Sequence, residues 1–132
     1  MKRILVIDDD VEYCNEIQDI LMDEDYHVLC AHEGQTGLQV LDSQPIDLVL
    51  LDLKLPELSG FDLLPAIKKI QPDVKVIIIT GYLKYPDNDN QSVTTNAIRH
   101  SRLALADACF YKPFDVARLL STIEQLIISS KH

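Results

Sequence analysis

Residues able to do chemistry stand where short apolar runs of the chain end. Asp8 and Asp9 follow the first apolar run, Asp52 ends the third, and Lys112 follows the last. If these runs are parallel strands of one sheet, their carboxyl ends meet at one edge, so the carboxylates and the lysine would converge there. A cluster of carboxylates facing one lysine predicts a site for a divalent cation and a phosphoryl group.

The acidic residues need positive charge beside them. Two carboxylates about 4 Å apart repel each other by about 4 kcal/mol at an effective dielectric constant of about 20, so three of them favour a bound cation as well as the lysine. Mg²⁺ prefers oxygen ligands: one or two carboxylates, waters and a phosphate oxygen. Because no histidine or cysteine stands at these positions, zinc is disfavoured. We therefore predict Mg²⁺ as the cofactor.

Asp52 is the predicted nucleophile of this site. A carboxylate so placed can attack phosphorus and form an acyl phosphate, while the metal and Lys112 neutralise the oxygens of the transferred group. Thr80 ends the fourth apolar run, and its hydroxyl is predicted to hydrogen-bond a phosphoryl oxygen. Asp10 is predicted to be only the N-cap of the helix that follows it.

The elements that must position these residues are visible in the hydrophobic pattern. Short runs rich in valine, isoleucine and leucine are typical of parallel strands, which are buried on both faces. Between them, apolar residues recur at helical spacing. The alternation predicts an α/β doubly wound domain with a five-stranded parallel sheet and right-handed crossovers. The five runs are residues 4–7, 26–31, 46–51, 74–79 and 108–111.

Two predicted helices carry local signals. Pro65 falls inside the predicted third helix, where an interior proline costs about 3 kcal/mol. We therefore expect that helix to start late, with Asp62 as its N-cap and Pro65 in its first turn. Asp115 is a predicted N-cap for the last helix, which should run to about residue 129.

The stretch between Thr80 and Lys112 is longer than the fold requires. A helix, a strand and two short loops need roughly twenty residues, and the sequence provides 31. The surplus is polar and rich in turn formers. It predicts an enlarged surface loop at about 82–95, followed by a fourth helix at about 96–106.

Composition limits the possible functions. The chain of 132 residues is predicted to form one domain, residues 1–132, large enough to bury a core. Its net charge is −9 and only 12 residues are Lys or Arg, which argues against nucleic-acid binding by this domain. No run approaches the roughly 18 apolar residues of a membrane span, so no membrane partner is expected.

The cysteines and the N-terminus bear on the compartment. Cys14, Cys30 and Cys109 are odd in number and lack Cys-x-x-Cys spacing, so we predict buried reduced thiols. The first residues contain no signal-peptide pattern. Both observations favour a cytoplasmic location.

Four motifs, taken in order along the chain, together resemble the receiver domain of two-component response regulators. The resemblance spans nearly the whole sequence, and each motif falls at a predicted strand end. The motifs are Ile4-Leu5-Val6-Ile7-Asp8-Asp9-Asp10, Leu51-Asp52-Leu53-Lys54-Leu55-Pro56-Glu57-Leu58-Ser59-Gly60, Thr80-Gly81 and Lys112-Pro113-Phe114.

The resemblance implies a flavodoxin-like three-layer fold with strand order 2-1-3-4-5. It implies that Asp52 is the phosphoacceptor. It further implies that Asp9 and Asp52 bind Mg²⁺ together with the backbone carbonyl of Lys54, while Asp8 acts mostly through water.

The resemblance also implies partners and a function. Thr80 and Lys112 would contact the phosphoryl group, which a histidine kinase or a phosphotransfer protein would supply. The domain would act as a signalling switch that catalyses only its own phosphorylation and dephosphorylation. It would change its partner surface, form a homodimer through the face of the fourth helix, fifth strand and last helix, and act on a downstream effector.

Other readings are open at this point. Receivers commonly carry an aromatic residue three positions before the lysine, where this chain has Cys109, and this departure leaves room for a phosphorylation-independent interaction module. A phosphatase of the haloacid dehalogenase type also uses an aspartyl nucleophile, but it needs a second acid where Lys54 stands.

Overall fold

The computed structural model describes residues 2–52, 60–80, 105–111 and 114–129. In these residues five strands and four helices follow one another along the chain. The predicted loop at 82–95 and nearly all of the predicted helix at 96–106 lie outside the described residues. The elements are β1 (Arg3–Ile7), α1 (Val11–Asp23), β2 (His27–Ala31), α2 (Gly34–Ser43), β3 (Leu48–Asp52), α3 (Gly60–Ile70), β4 (Lys75–Thr80), β5 (Ala108–Tyr111) and α4 (Val116–Ser129).

The strands form one parallel sheet in the order β2-β1-β3-β4-β5. This order confirms the predicted flavodoxin-like fold. β3 is the central strand, and every residue in it is buried. Because Ile7 at the end of β1 is in register with Leu51, Asp8 and Asp52 come from neighbouring strand ends.

Helices cover both faces of the sheet, so the protein has two apolar layers. One layer packs α2 and α3 against side chains such as Leu5, Val49 and Ile78. The other packs α1 and α4 against the alternate residues of the same strands, such as Val6 and Leu50. Strands buried on both faces explain the continuous apolar runs of the sequence. Among the described helices, none combines the length and hydropathy that a bilayer crossing requires.

Capping residues fix where α1 and α4 begin. The Asp10 carboxylate accepts a hydrogen bond from Tyr13 N at 3.1 Å, and the Asp115 carboxylate accepts one from Ala117 N at 2.9 Å. Both bonds satisfy backbone donors that the first helical turn leaves open. Both predicted N-caps are therefore confirmed, and α4 ends at Ser129 as predicted.

The prediction for the third helix was wrong. α3 begins at Gly60, so Asp62 lies in its first turn and Pro65 in its interior. The proline ring is exposed, whereas Leu63 and Leu64 beside it are almost completely buried. Burying one leucine contributes about 1.5–3 kcal/mol, so two of them outweigh the roughly 3 kcal/mol cost of the proline.

The last strand also departs from the prediction of double burial. β5 lies at the edge of the sheet, and its residues alternate in exposure. Phe110 packs into the layer of α1 and α4, whereas Cys109 and Tyr111 are exposed. Cys109 is therefore a free but exposed thiol. Cys14 is buried as predicted, and Cys30 is only half-buried.

α2 packs unusually close to β1 at one glycine. A Cβ atom added to Gly37 would lie 2.5 Å from Ile7 Cδ1 and 2.9 Å from Ile7 Cγ1. Ile7 is itself fully buried. The helix can approach the strand this closely because the glycine has no side chain.

Side chains tie the amino ends of the strands to their surroundings. Asp47 Oδ2 accepts a hydrogen bond from Arg3 N at 2.8 Å, and Asp107 Oδ2 accepts one from Val76 N at 2.8 Å. The Gln71 amide donates to two carbonyls at the end of α2, at 2.7 and 2.8 Å, and accepts from the backbone before β3 at 3.0 Å. This edge, opposite the predicted site, is bound together by polar contacts.

Candidate functional site

Three carboxylates meet at the carboxyl edge of the sheet. One carboxylate oxygen from each of Asp8, Asp9 and Asp52 lies within 4.8 Å of the other two. Asp8 is 2% exposed and Asp52 is 8% exposed, whereas Asp9 is exposed. Two of the three residues are therefore buried, and the third, Asp9, lies on the solvent side of the cluster.

Asp8 is fixed at both its backbone and its side chain. Its N–H donates to the Ala31 carbonyl at 3.0 Å, which extends the pairing of β1 and β2 by one residue. Its Oδ1 accepts a hydrogen bond from Asp10 N at 2.9 Å. Its carbonyl accepts one from Cys14 Sγ at 3.3 Å and lies 3.2 Å from His32 Nδ1. The backbone of Asp8 is thus held by β2 and α1, and its carboxylate accepts from the backbone of Asp10.

Asp10 follows the cluster but has a different task. Its carboxylate caps α1 through Tyr13 N, and its carbonyl accepts from Cys14 N at 3.0 Å. The prediction of a structural role for Asp10 is confirmed. The third aspartate of the motif therefore builds the turn that presents the other two.

Tyr13 is a neighbour of the cluster that the sequence analysis missed. Burial raises the pKa of its phenol above its ordinary range, and the charges of Asp8 and Asp52 raise it further. Its ring meets Phe114 edge-to-face at 6.4 Å, and Phe114 lies 6.0 Å from Phe110. A neutral phenol and an aromatic row thus connect the acidic cluster to β5. In the sequence, the only signal for Tyr13 was its position in the first turn of the helix that follows the aspartates.

The remaining predicted site residues are described in part or not at all. The backbone of Thr80 ends β4 and is in register with Tyr111 at the end of β5. Lys54 and Lys112 lie outside the described residues. The structure therefore brings together the three aspartates, and it sets the backbone of Thr80 at the same edge of the sheet.

The donor set fits a hard cation. Carboxylate oxygens are the ligands that Mg²⁺ and Ca²⁺ prefer, whereas zinc sites favour nitrogen and sulfur. The cluster offers carboxylate oxygens from two buried residues and one exposed residue. A cation bound there would offset the mutual repulsion of the carboxylates and keep part of its water shell on the side of Asp9.

The sequence matches a protein family model and is similar to known regulatory proteins. The family model of the response regulator receiver domain matches residues 4–124. The transcriptional regulatory protein ZraR of Escherichia coli K12 is 31% identical over 124 residues, which cover 94% of this chain and 26% of ZraR. The chain thus spans about a quarter of the length of that relative.

Solved structures agree with the sequence comparison. A CheY-like receiver domain protein from Methanospirillum hungatei JF-1 has a TM-score of 0.84 and 30% identity, covering 99% of this chain and 97% of that one. The response regulator protein TrrA from Thermotoga maritima, solved in complex with Mg²⁺-BeF, has a TM-score of 0.79 and 29% identity, covering 96% and 99%.

Proposed function

Because the chain belongs to the response regulator receiver domain family, we propose that Asp52 accepts a phosphoryl group from a histidine kinase or a phosphotransfer protein in a Mg²⁺-dependent reaction. The observation that carries this proposal is the meeting of Asp52 with Asp8 and Asp9 within 4.8 Å. A lone carboxylate at a strand end has no need of a cation. Three together, two of them buried, favour one strongly.

The roles of the residues divide by position. Asp9, Asp52 and the backbone carbonyl of Lys54 would hold Mg²⁺, and Asp8 would act on it mostly through water. Mg²⁺, when bound, neutralises charge on the oxygens of the transferred group. Lys112 supplies a second positive charge there, and the hydroxyl of Thr80 donates a hydrogen bond to a phosphoryl oxygen.

The reaction is a simple displacement. A carboxylate oxygen of Asp52 forms a bond to phosphorus as the bond from phosphorus to the donor imidazole breaks, and the imidazole nitrogen takes up a proton. Hydrolysis of the acyl phosphate later returns the free carboxylate of Asp52.

The whole domain, residues 1–132 with the predicted enlarged loop at 82–95, then works as a switch in the cytoplasm and not as a turnover enzyme. Phosphorylation changes the face formed by the predicted fourth helix, β5 and the last helix, α4. A second copy of the chain or a downstream effector then binds to that face. This chain spans only about a quarter of ZraR, and the effector that we propose for it is a separate domain or protein.

Phosphorylation of the isolated chain tests the proposal. We expect acetyl phosphate with Mg²⁺ to add one phosphoryl group, measured by intact mass, and beryllofluoride with Mg²⁺ to shift backbone amide signals around the acidic cluster. Asp52→Asn should abolish both responses, since it removes the nucleophilic carboxylate. Removing Mg²⁺ should abolish them in the wild type.

Asp10→Asn is the matched control. It removes a carboxylate from the same turn but keeps an N-cap residue of equal preference, so it should respond as the wild type does. No response in the wild type would contradict the proposal, as would an equal response in Asp52→Asn. Either result would favour a phosphorylation-independent interaction module.

A further inference from the structure

Two cysteines from different elements meet next to the acidic cluster. Cys14 lies in the first turns of α1, and Cys30 lies in β2, where it is in register with Val6 of β1. Both are free thiols that belong to the apolar layer of α1 and α4. Sixteen positions separate them in sequence, and the packing of the helix on the sheet brings them together.

The two residues are in contact. Cys30 Sγ lies 4.0 Å from the Cys14 carbonyl oxygen, so the sulfur of one cysteine rests against the backbone of the other. Cys14 Sγ also donates to the Asp8 carbonyl at 3.3 Å. Packing alone would be satisfied by any small apolar residue at either position. Two cysteines held this close to each other add a chemistry that such residues lack.

The exposure of the two thiols differs in a useful way. Cys14 is fully buried, whereas Cys30 is half-buried and can be reached by a molecule the size of water. Among the described residues, the only group of three or more His, Cys, Asp and Glu side chains close enough to hold a metal is the aspartate cluster, so the cysteine pair is not part of such a site. An oxidant would therefore meet Cys30 first and Cys14 second.

The electrostatics favour the same order. The neighbouring Cys14 thiol lowers the pKa of the Cys30 thiol to about 7, and the charge of His32 contributes in the same direction. The thiolate is the form of cysteine that reacts with peroxides.

We propose that Cys14 and Cys30 form a redox modification site, in which hydrogen peroxide oxidises Cys30 and Cys14 then closes a reversible disulfide. The Cys30 sulfur attacks peroxide, the O–O bond breaks, and Cys30 sulfenic acid and hydroxide form. Cys14 sulfur then attacks the Cys30 sulfur, hydroxide leaves, and the Cys14 proton converts it to water. Two thiols and one peroxide thus give one disulfide and two waters.

The test uses the whole chain in a Cys109→Ser background, which removes the exposed thiol as a source of dimers. After treatment with hydrogen peroxide and denaturation, we expect intact mass to fall by about 2 Da and both remaining thiols to resist alkylation. Dithiothreitol should restore them. Neither metal nor phosphoryl donor is present, so this result is independent of the proposed phosphoryl transfer.

Single variants separate the two roles. Cys30→Ser, at a half-buried position, should stay folded by circular dichroism and should lose the 2 Da product. Cys14→Ala should leave Cys30 as a sulfenic acid that dimedone traps. Retention of both thiols in the Cys109→Ser protein would overturn the proposal. A gain of oxygen in that protein without the disulfide would also overturn it, as would a 2 Da loss that persists in Cys30→Ser.

Discussion

Tyr13 lies beside the acidic cluster, and the ionisation of its phenol affects the stability of the folded protein. Its phenol is half-buried beside Asp8 and Asp52, and its pKa is raised above the ordinary value of 10.0, first by burial and then by those charges. The folded protein therefore resists ionisation of this group more than the unfolded chain does. The benefit of the neutral phenol is complete below pH 10 and is lost as pH rises above it.

We expect Tyr13→Phe to flatten the loss of stability at alkaline pH. Above about pH 10, the free energy of unfolding of the wild type should fall by up to about 1.4 kcal/mol per pH unit more than that of the variant, the slope for one proton. Urea denaturation at a series of pH values measures this. Tyr111→Phe removes an exposed hydroxyl and is the matched control. If both variants and the wild type fall together, Tyr13 does not contribute.

For single residues, the sequence predicted which acidic residues come together, but not which other side chains lie next to them. Asp8, Asp9 and Asp52 could be grouped because each follows or ends an apolar run, and strand ends of a parallel sheet share an edge. Tyr13 and the cysteine pair could not be found in this way. Their contacts depend on how α1 is rotated and seated on the sheet, and periodicity gives only which face of the helix is apolar.

Single elements show where local and tertiary preferences compete. The strands were predicted within one or two residues, because parallel strands leave continuous apolar runs. The start of α3 was mispredicted, because the cost of Pro65 was set against local signals alone. The burial of Leu63 and Leu64 in the layer of α2 and α3 is a tertiary effect that no window of sequence around the proline contains.

Gly37 provides a test of helix-on-sheet packing. We expect Gly37→Ala to lower the free energy of unfolding by up to about 2 kcal/mol, because an overpacking cost of about 1–3 kcal/mol against Ile7 outweighs the roughly 1 kcal/mol gain in helix propensity. Chemical denaturation measures the change. Thr36→Ala, at an exposed position of the same helix, should be neutral or stabilising. A stabilised Gly37→Ala protein would show that Ile7 moves aside without cost.

The whole molecule carries a net charge of −9, and the proposed site lies within this negative field. An anionic phosphoryl donor is repelled as it approaches, and the repulsion is screened as the Debye length falls from about 30 Å at 0.01 M salt to about 10 Å at 0.1 M. The chain therefore attracts dications to the cluster but slows small anionic donors.

We expect phosphorylation by acetyl phosphate, at saturating Mg²⁺, to speed up roughly threefold between these salt concentrations. The rate is measured by intact mass over time. Alkylation of the exposed Cys109 by neutral iodoacetamide should not change, which controls for general effects of salt. A rate that is constant or falls with salt would rule out control by net charge.

At the scale of the whole fold, hydrophobic periodicity and family resemblance supplied different information. Alternating strands and helices predicted a parallel sheet covered on both faces, which burial of apolar side chains requires. The strand order 2-1-3-4-5 followed only from the resemblance, because the runs of β1 and β4 contain nothing that determines which strands are adjacent. The edge position of β5, and with it the exposure of Cys109 and Tyr111, is a consequence of that order.

The polar contacts at the amino ends of the strands have a mechanical consequence. Asp47, Gln71 and Asp107 anchor β1, β3 and β4 at the end of the molecule farthest from Asp52. Because these contacts hold the amino ends of the strands in place, we expect strain introduced at the opposite end to be taken up by the strand ends near Asp52. Modification of Asp52 should then displace the strand tips and the turns that follow them, while the clamped end serves as the fixed reference against which they move.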